Sequence, residues 1–210
     1  MRTPRHLTIS ADDREAAADA AVEALAAGQL VVLPTDTVYG LAARADDEAA
    51  VSRIFQAKRR PPDRPVPILL ASFEQFERVA PEASPAARVL AWTFWPGPLT
   101  LVVPRPQSVP FWVSGGAATV GLRVPDDATA LLVLSRAPFL VAATSANLSD
   151  EPTSATAAEC ADALALAPAV VLEDGPRPNQ ASTVVAVSDD DVEVLRAGPI
   201  SLAQLRAALR

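Results

Sequence analysis

The sequence predicts an α/β protein with a twisted, mixed sheet and flanking helices, and two observations lead there. Short apolar runs of strand length recur along the chain, separated by longer alanine-rich stretches with helical spacing. The two kinds of segment do not alternate strictly, which favours a sheet with both parallel and antiparallel neighbours.

The elements follow in order. A first helix is expected over 10–27, with Ser10 as a capping residue, Asp12 and Asp13 in the first turn and Gly28 as the stop. Residues 29–33 read as a buried strand ended by Pro34, and 35–41 as the loop beyond it. A helix over 47–58 carries Val51, Ile54 and Phe55 on one face, is closed by Pro61-Pro62, and gathers Lys58, Arg59 and Arg60 at its end. Then come a strand at 66–70, a helix at 84–95 stopped by Pro96-Gly97-Pro98, and a strand at 99–103. Strands at 120–124 and 139–143 flank a helix at 127–135. A helix at 156–166, a strand at 169–172, a pair of strands at 183–187 and 192–195 and a helix at 201–209 complete the reading. No repeat or linker interrupts it, so residues 1–210 read as one domain.

Composition narrows the function. Half of the 210 residues are hydrophobic, yet no apolar run approaches the ~20 residues that cross a bilayer. No apolar stretch follows the first arginines either, so a soluble, cytoplasmic protein without a membrane partner is expected. The single cysteine, Cys160, excludes an internal disulfide and a multi-cysteine metal cage, and reads as a helix packing residue. The single histidine, His6, stands ahead of the first expected element as a solvated tail residue, which excludes a Ser-His-Asp triad or a paired-histidine zinc site. A net charge of -7 opposes binding of nucleic acid over the whole surface. Of the 18 basic residues all but one are arginine; Lys58 departs from the chain's own preference, and it reads either as a site residue or as a solvated charge at a helix end.

Neither the P-loop nor the dinucleotide-binding glycine pattern is present, so a nucleotide would have to be held by side chains. Lys58, Arg60, Arg64, Arg123 and Arg196 occupy suitable loop and strand-end positions. Arg123 is flanked by Val120, Leu122 and Val124, and a guanidinium in such surroundings needs an anionic partner. Ser145-Ala-Asn147 follows an apolar run, where α/β proteins bind ligands, and Ser182-Thr183 precedes another; serine and asparagine favour turns and caps as well. Spacing alone gives an anion-binding pocket.

Five segments in this order, P-T-D-T-V-Y-G-L (34–41), F-Q-A-K-R-R-P (55–61), W-P-G-P-L-T (95–100), T-S-A-N-L-S (144–149) and A-S-T-V-V (181–185), resemble the YrdC-type threonylcarbamoyladenylate synthase family across nearly the whole chain. The resemblance implies a twisted sheet lining a concave, basic cavity, in the short, single-domain form of the family. It implies an enzyme that uses L-threonine, bicarbonate or carbon dioxide, and ATP with Mg²⁺, without a tightly bound, protein-ligated metal. The adenylate would pass to a tRNA threonylcarbamoyl-transfer complex, with weak RNA contact as a further possibility. Carried over by motif, Thr37, Arg123, Ser145 and Ser182 would bind threonine. Lys58 and Arg60 would be catalytic and, with Arg64, Thr119, Asn147 and Arg196, would line the ATP side. The stretch N-L-S-D-E-P-T-S-A-T departs from the family pattern and leaves Ser154 and Thr156 unassigned, and Asn179 and Gln180 replace small residues ahead of Ser182. Two other readings stay open: an RNA-binding or ribosome-assembly module, and a paralogue of the same fold without this activity.

Overall fold

The computed structural model describes residues 4–10, 13–187 and 192–210, and within them one mixed sheet of ten strands carries helices on both faces. The strands are β1 (Arg5–Thr8), β2 (Val31–Leu33), β3 (Gly40–Arg44), β4 (Ile68–Leu69), β5 (Leu99–Pro104), β6 (Thr119–Arg123), β7 (Val141–Ser145), β8 (Val170–Glu173), β9 (Thr183–Val187) and β10 (Val192–Arg196). Their spatial order is β1-β8-β2-β3-β7-β4-β6-β5-β9-β10. Parallel pairs join β1 to β8, β2 to β8, β4 to β6 and β5 to β9, and the remaining pairs are antiparallel. The helices are α1 (Arg14–Ala26), α2 (Glu48–Lys58), α3 (Phe73–Val79), α4 (Pro85–Phe94), α5 (Ala128–Arg136), α6 (Ala157–Ala163) and α7 (Leu202–Ala208).

The two-residue period of a strand explains where the helices sit. Val32, Leu41, Ile68, Leu99, Leu101, Leu122, Ala142, Val171 and Val185 point to one face and form a core with α2, α4, α6 and α7. Val31, Leu33, Ala42, Val141, Ala143, Val170 and Leu172 point to the other, where α1 and α5 cover them with Ala18, Ala21, Leu25, Ala130 and Val133. Small alanines on α1 let that helix lie close to the sheet. On this second face β5, β6 and β9 carry Thr100, Val102, Gly121, Arg123 and Val184, and these line a cleft beside the α1/α5 pair.

Several expectations change. His6 lies in β1, an edge strand parallel to β8, and is exposed there; it is no tail residue. β3 takes the last two residues of the expected loop, Gly40 and Leu41, and runs on to Arg44 where no element was expected, because G-L-A-A-R lacks β-branched residues and is held by burial between β2 and β7. The helix α3, capped by the Ser72 hydroxyl accepting from the Gln75 N–H, is too short for periodicity to reveal. β4 shrinks to two residues, since Pro65 and Pro67 supply no N–H to a ladder. β7 starts two residues later than expected and so takes Thr144 and Ser145 into the strand. α6 ends at Ala163, short of the expected 166. Asp13 is the cap position of α1, and Asp12 lies outside the described residues. Cys160 is buried in α6, in the packing place expected of it. No helix among the described residues is long and apolar enough to cross a membrane.

Candidate functional site

The cleft has a volume of about 280 Å³ and is walled by the ends of the elements that flank the uncovered part of the sheet. Its floor is made of small side chains. A Cβ on Gly121 would come within 3.1 Å of the Thr100 methyl, so glycine there keeps the floor low. Arg60, Arg123 and Arg196 project into the wall, which among the described residues contains no carboxylate, cysteine, histidine or lysine.

Arg123, the last residue of β6, is 6% exposed and held on three sides. Its Nε donates to the Gly97 carbonyl at 3.0 Å, one terminal nitrogen to Thr37 Oγ1 at 2.9 Å, and the other to Asp36 Oδ1 at 2.5 Å. The anionic partner required by its apolar flanks is thus Asp36. Burial draws the guanidinium below its ordinary value, and the Asp36 carboxylate works against that. Thr37 is set by its own loop: Thr35 Oγ1 accepts from the N–H groups of Thr37 and Val38 and donates to the Val38 carbonyl, a side-chain-to-backbone turn closed by a buried threonine.

On the opposite wall Arg196 donates to the Ser182 carbonyl from Nε and Nη2, at 3.1 and 2.9 Å, and to Ser182 Oγ at 3.0 Å. Ser182 Oγ is in turn 2.8 Å from Thr100 Oγ1. Gly198 allows this approach of β10 to the start of β9, because a Cβ there would lie 2.4 Å from the Thr183 nitrogen and 2.6 Å from the Ala181 carbonyl. Gly198→Ala is therefore expected to destabilise the fold by about 1–3 kcal/mol through overpacking. A shifted urea midpoint reads this out, and an unchanged midpoint would show that the two segments separate freely.

The third wall comes from the end of α2. Arg59 has φ 49°, a left-handed C-cap that turns the chain, so that Lys58 points beneath the 145–149 turn while Arg60 reaches the cleft. Arg60 Nη2 donates to the Pro65 carbonyl at 3.0 Å, and its buried Nε has no hydrogen-bond partner. Burial, with repulsion from Arg64 and Arg196, draws the Arg60 guanidinium down, and burial does the same to Arg196. Lys58 is 1% exposed and lies outside the cleft wall. Its Nζ donates to the Ser145 carbonyl, the Asn147 carbonyl at 2.7 Å and Asn147 Oδ1 at 2.8 Å, while the Ser149 N–H returns to the Lys58 carbonyl. All three ammonium hydrogens are used. Burial, then the repulsion of Arg60, pulls the Lys58 ammonium down to about 7.

Of the ten residues expected at the site, Thr37, Arg60, Arg123, Ser145, Ser182 and Arg196 meet in one cleft. Lys58 and Asn147 sit behind that wall and line no part of the cleft; Asn147 Oδ1 accepts from Lys58 and Ser145, and its Nδ2 donates to the Glu151 carbonyl. Arg64 is exposed and paired with Asp150 at 2.8 Å, and Thr119 is exposed at the start of β6; both lie outside the wall, next to the lining residues Pro65 and, one step along the same strand face, Gly121. Thr156 caps α6, and the Ser154 carbonyl accepts from the Cys160 thiol. Asp36, Thr35 and Thr100 escaped the residue-by-residue reading although all three stand inside the five family-like segments. The need of Arg123 for an anion is the signal from which Asp36 could have been sought, but it names no residue.

Comparison with known proteins agrees with this architecture. The Sua5_yciO_yrdC family model, described as "Telomere recombination", matches residues 23–198. A threonylcarbamoyl-AMP synthase of Pyrococcus abyssi is 41% identical over 183 residues, 87% of this chain and 54% of that protein. One from Bacillus subtilis is 36% identical over 203 residues, 96% of this chain and 58% of that protein. The chain thus spans little more than half the length of these two relatives. The crystal structure of P. abyssi Sua5 complexed with L-threonine superposes with a TM-score of 0.90 at 36% identity, covering 99% of this chain and 61% of that one. By the extent of the family match, the identity to these relatives and the shared fold, the chain belongs to the Sua5/YciO/YrdC family.

Proposed function

We propose that the cleft forms threonylcarbamoyl-adenylate and pyrophosphate from L-threonine, bicarbonate or carbon dioxide, and ATP, and that the adenylate passes to a tRNA threonylcarbamoyl-transfer complex that modifies adenosine. The observation that carries this reading is one small cleft with three arginines in its wall and no nucleophile stronger than a hydroxyl. The chemistry needs none. The neutral amine of threonine captures carbon dioxide, supplied directly or from bicarbonate by loss of water, and releases its proton to solvent as the carbamate forms; a carbamate oxygen then attacks the α-phosphorus of ATP, and the bond to the pyrophosphate oxygen breaks. The protein's share is to hold two anionic reactants in line and to offset their charge.

Arg123, with Thr37 beside it, takes the threonine carboxylate, and the Ser145 and Ser182 hydroxyls border the same ligand. Arg60 and Arg196 take the phosphates; the unpartnered buried Nε of Arg60 supplies one donor for them. Arg64 and Thr119 are assigned to the outer part of the nucleotide. Lys58 and Asn147 act through the turn that carries Ser145. Magnesium belongs to the substrate in this scheme, carried in as the ATP complex with phosphate oxygens as ligands, since the cleft wall offers no carboxylate.

Pyrophosphate release is expected to require threonine and bicarbonate together, because the carbamate is the nucleophile, whereas ordinary activation of an amino-acid carboxylate would need no bicarbonate. Mass spectrometry of a reaction with ATP, Mg²⁺, L-threonine and bicarbonate identifies the adenylate. Equal pyrophosphate release in carbon dioxide-free buffer would sink the mechanism.

A further inference from the structure

Asp36 stands in the first of the family-like segments, yet the functional reading gives it no task. Its carboxylate is 16% exposed, accepts from Arg123 Nη2 at 2.5 Å, and is fixed from behind by the Asp126 N–H at 3.0 Å. Three of the five N–H bonds of Arg123 are committed to Gly97, Thr37 and Asp36, which leaves one on each terminal nitrogen for a ligand.

The three cations of the cleft wall are therefore not equivalent. Arg123 is ion-paired, while among the described residues neither Arg60 nor Arg196 is; their bonds run to the Pro65 carbonyl and to Ser182. Arg123 thus carries its counter-charge in direct contact, whereas Arg60 has the Asp150 and Asp63 carboxylates only at longer range and Arg196 stands within electrostatic reach of both other guanidiniums. A polyphosphate gains most from the two guanidiniums without an ion pair, whereas a single carboxylate needs little more than two aligned donors.

We propose that Asp36 is a positioning residue that sorts the two anions, keeping phosphate off Arg123 so that this end stays open to a monocarboxylate. This rests on the reading that Arg123 receives the amino-acid carboxylate. Asp36 and that carboxylate share one guanidinium, so Asp36 also weakens the hold on the amino acid, and selectivity is set at the expense of affinity.

Asp36→Asn keeps the shape and an oxygen acceptor for both Arg123 and the Asp126 N–H while removing the charge. Calorimetric titration of the variant with L-threonine alone is expected to give a Kd at least about threefold lower than wild type, as like-charge repulsion is lost. Inorganic pyrophosphate is expected to compete with threonine in the variant and not in the wild type. A folded Asp36→Asn protein that lacks either change overturns the proposal. Titration of Arg123→Ala separates the two levels: if it loses threonine binding while Asp36→Asn is unchanged, the sorting role falls and the carboxylate reading stands. If Arg123→Ala binds threonine as wild type does, the carboxylate reading falls and the sorting role with it. An unfolded Asp36→Asn protein would show that the charge serves the fold, and would overturn the proposal as well.

Discussion

Lys58→Arg is expected to lower turnover at least about tenfold, or roughly 1.4 kcal/mol of transition-state stabilisation, although it preserves the charge and conforms to the arginine bias of the chain. Nζ is a compact donor on which two carbonyls and an amide oxygen converge. A planar guanidinium cannot send three bonds to that point, and the 1% exposed site has no room for its extra atoms. The 145–149 turn should shift, taking the Ser145 hydroxyl out of the cleft, and overpacking should lower stability by about 1–3 kcal/mol. Steady-state kinetics and a thermal melt measure the two effects. Wild-type turnover with an unchanged Tm would show that the turn needs only a cation beneath it.

Arg123→Ala should have the larger effect on substrate use. Truncating a buried, charge-assisted fork costs on the order of 2–5 kcal/mol, and this loss is expected in the KM for threonine, with ATP affinity nearly unchanged. The variant also strands the Asp36 carboxylate, so a melt must accompany the kinetics. Arg123→Lys, which keeps the charge without the fork, is expected to fall between wild type and alanine. If ATP affinity drops while the KM for threonine holds, Arg123 belongs to the nucleotide.

What the sequence made legible follows from physical visibility. Val120–Val124 and Thr183–Val187 are apolar enough to declare themselves strands, whereas β3 has its character imposed by neighbours that lie far along the chain. Arg123 was legible because a guanidinium set among apolar residues must find an anion there or remain uncompensated at high cost. Lys58 shows the limit: its singularity was visible, but which way it faces depends on the left-handed turn at Arg59, which no spacing rule encodes. Asp36 and Thr100 were hidden for the opposite reason, as short polar residues beside strand ends serve turns and caps equally well.

The strand order has a consequence for how the protein is made. β2 lies between β3, which follows it closely in the chain, and β8, which is about 140 residues away, and the walls of the cleft draw on residues from Thr35 to Arg196. Most stabilising pairings are thus remote, a topology that folds slowly because chain closure precedes the contacts that reward it. During synthesis β2 and β3 emerge with both outer edges open, so the nascent chain has exposed backbone to protect until β7 and β8 leave the ribosome. Chaperone demand in this protein should accordingly be greatest before translation reaches β8, and the cleft should be the last feature to mature.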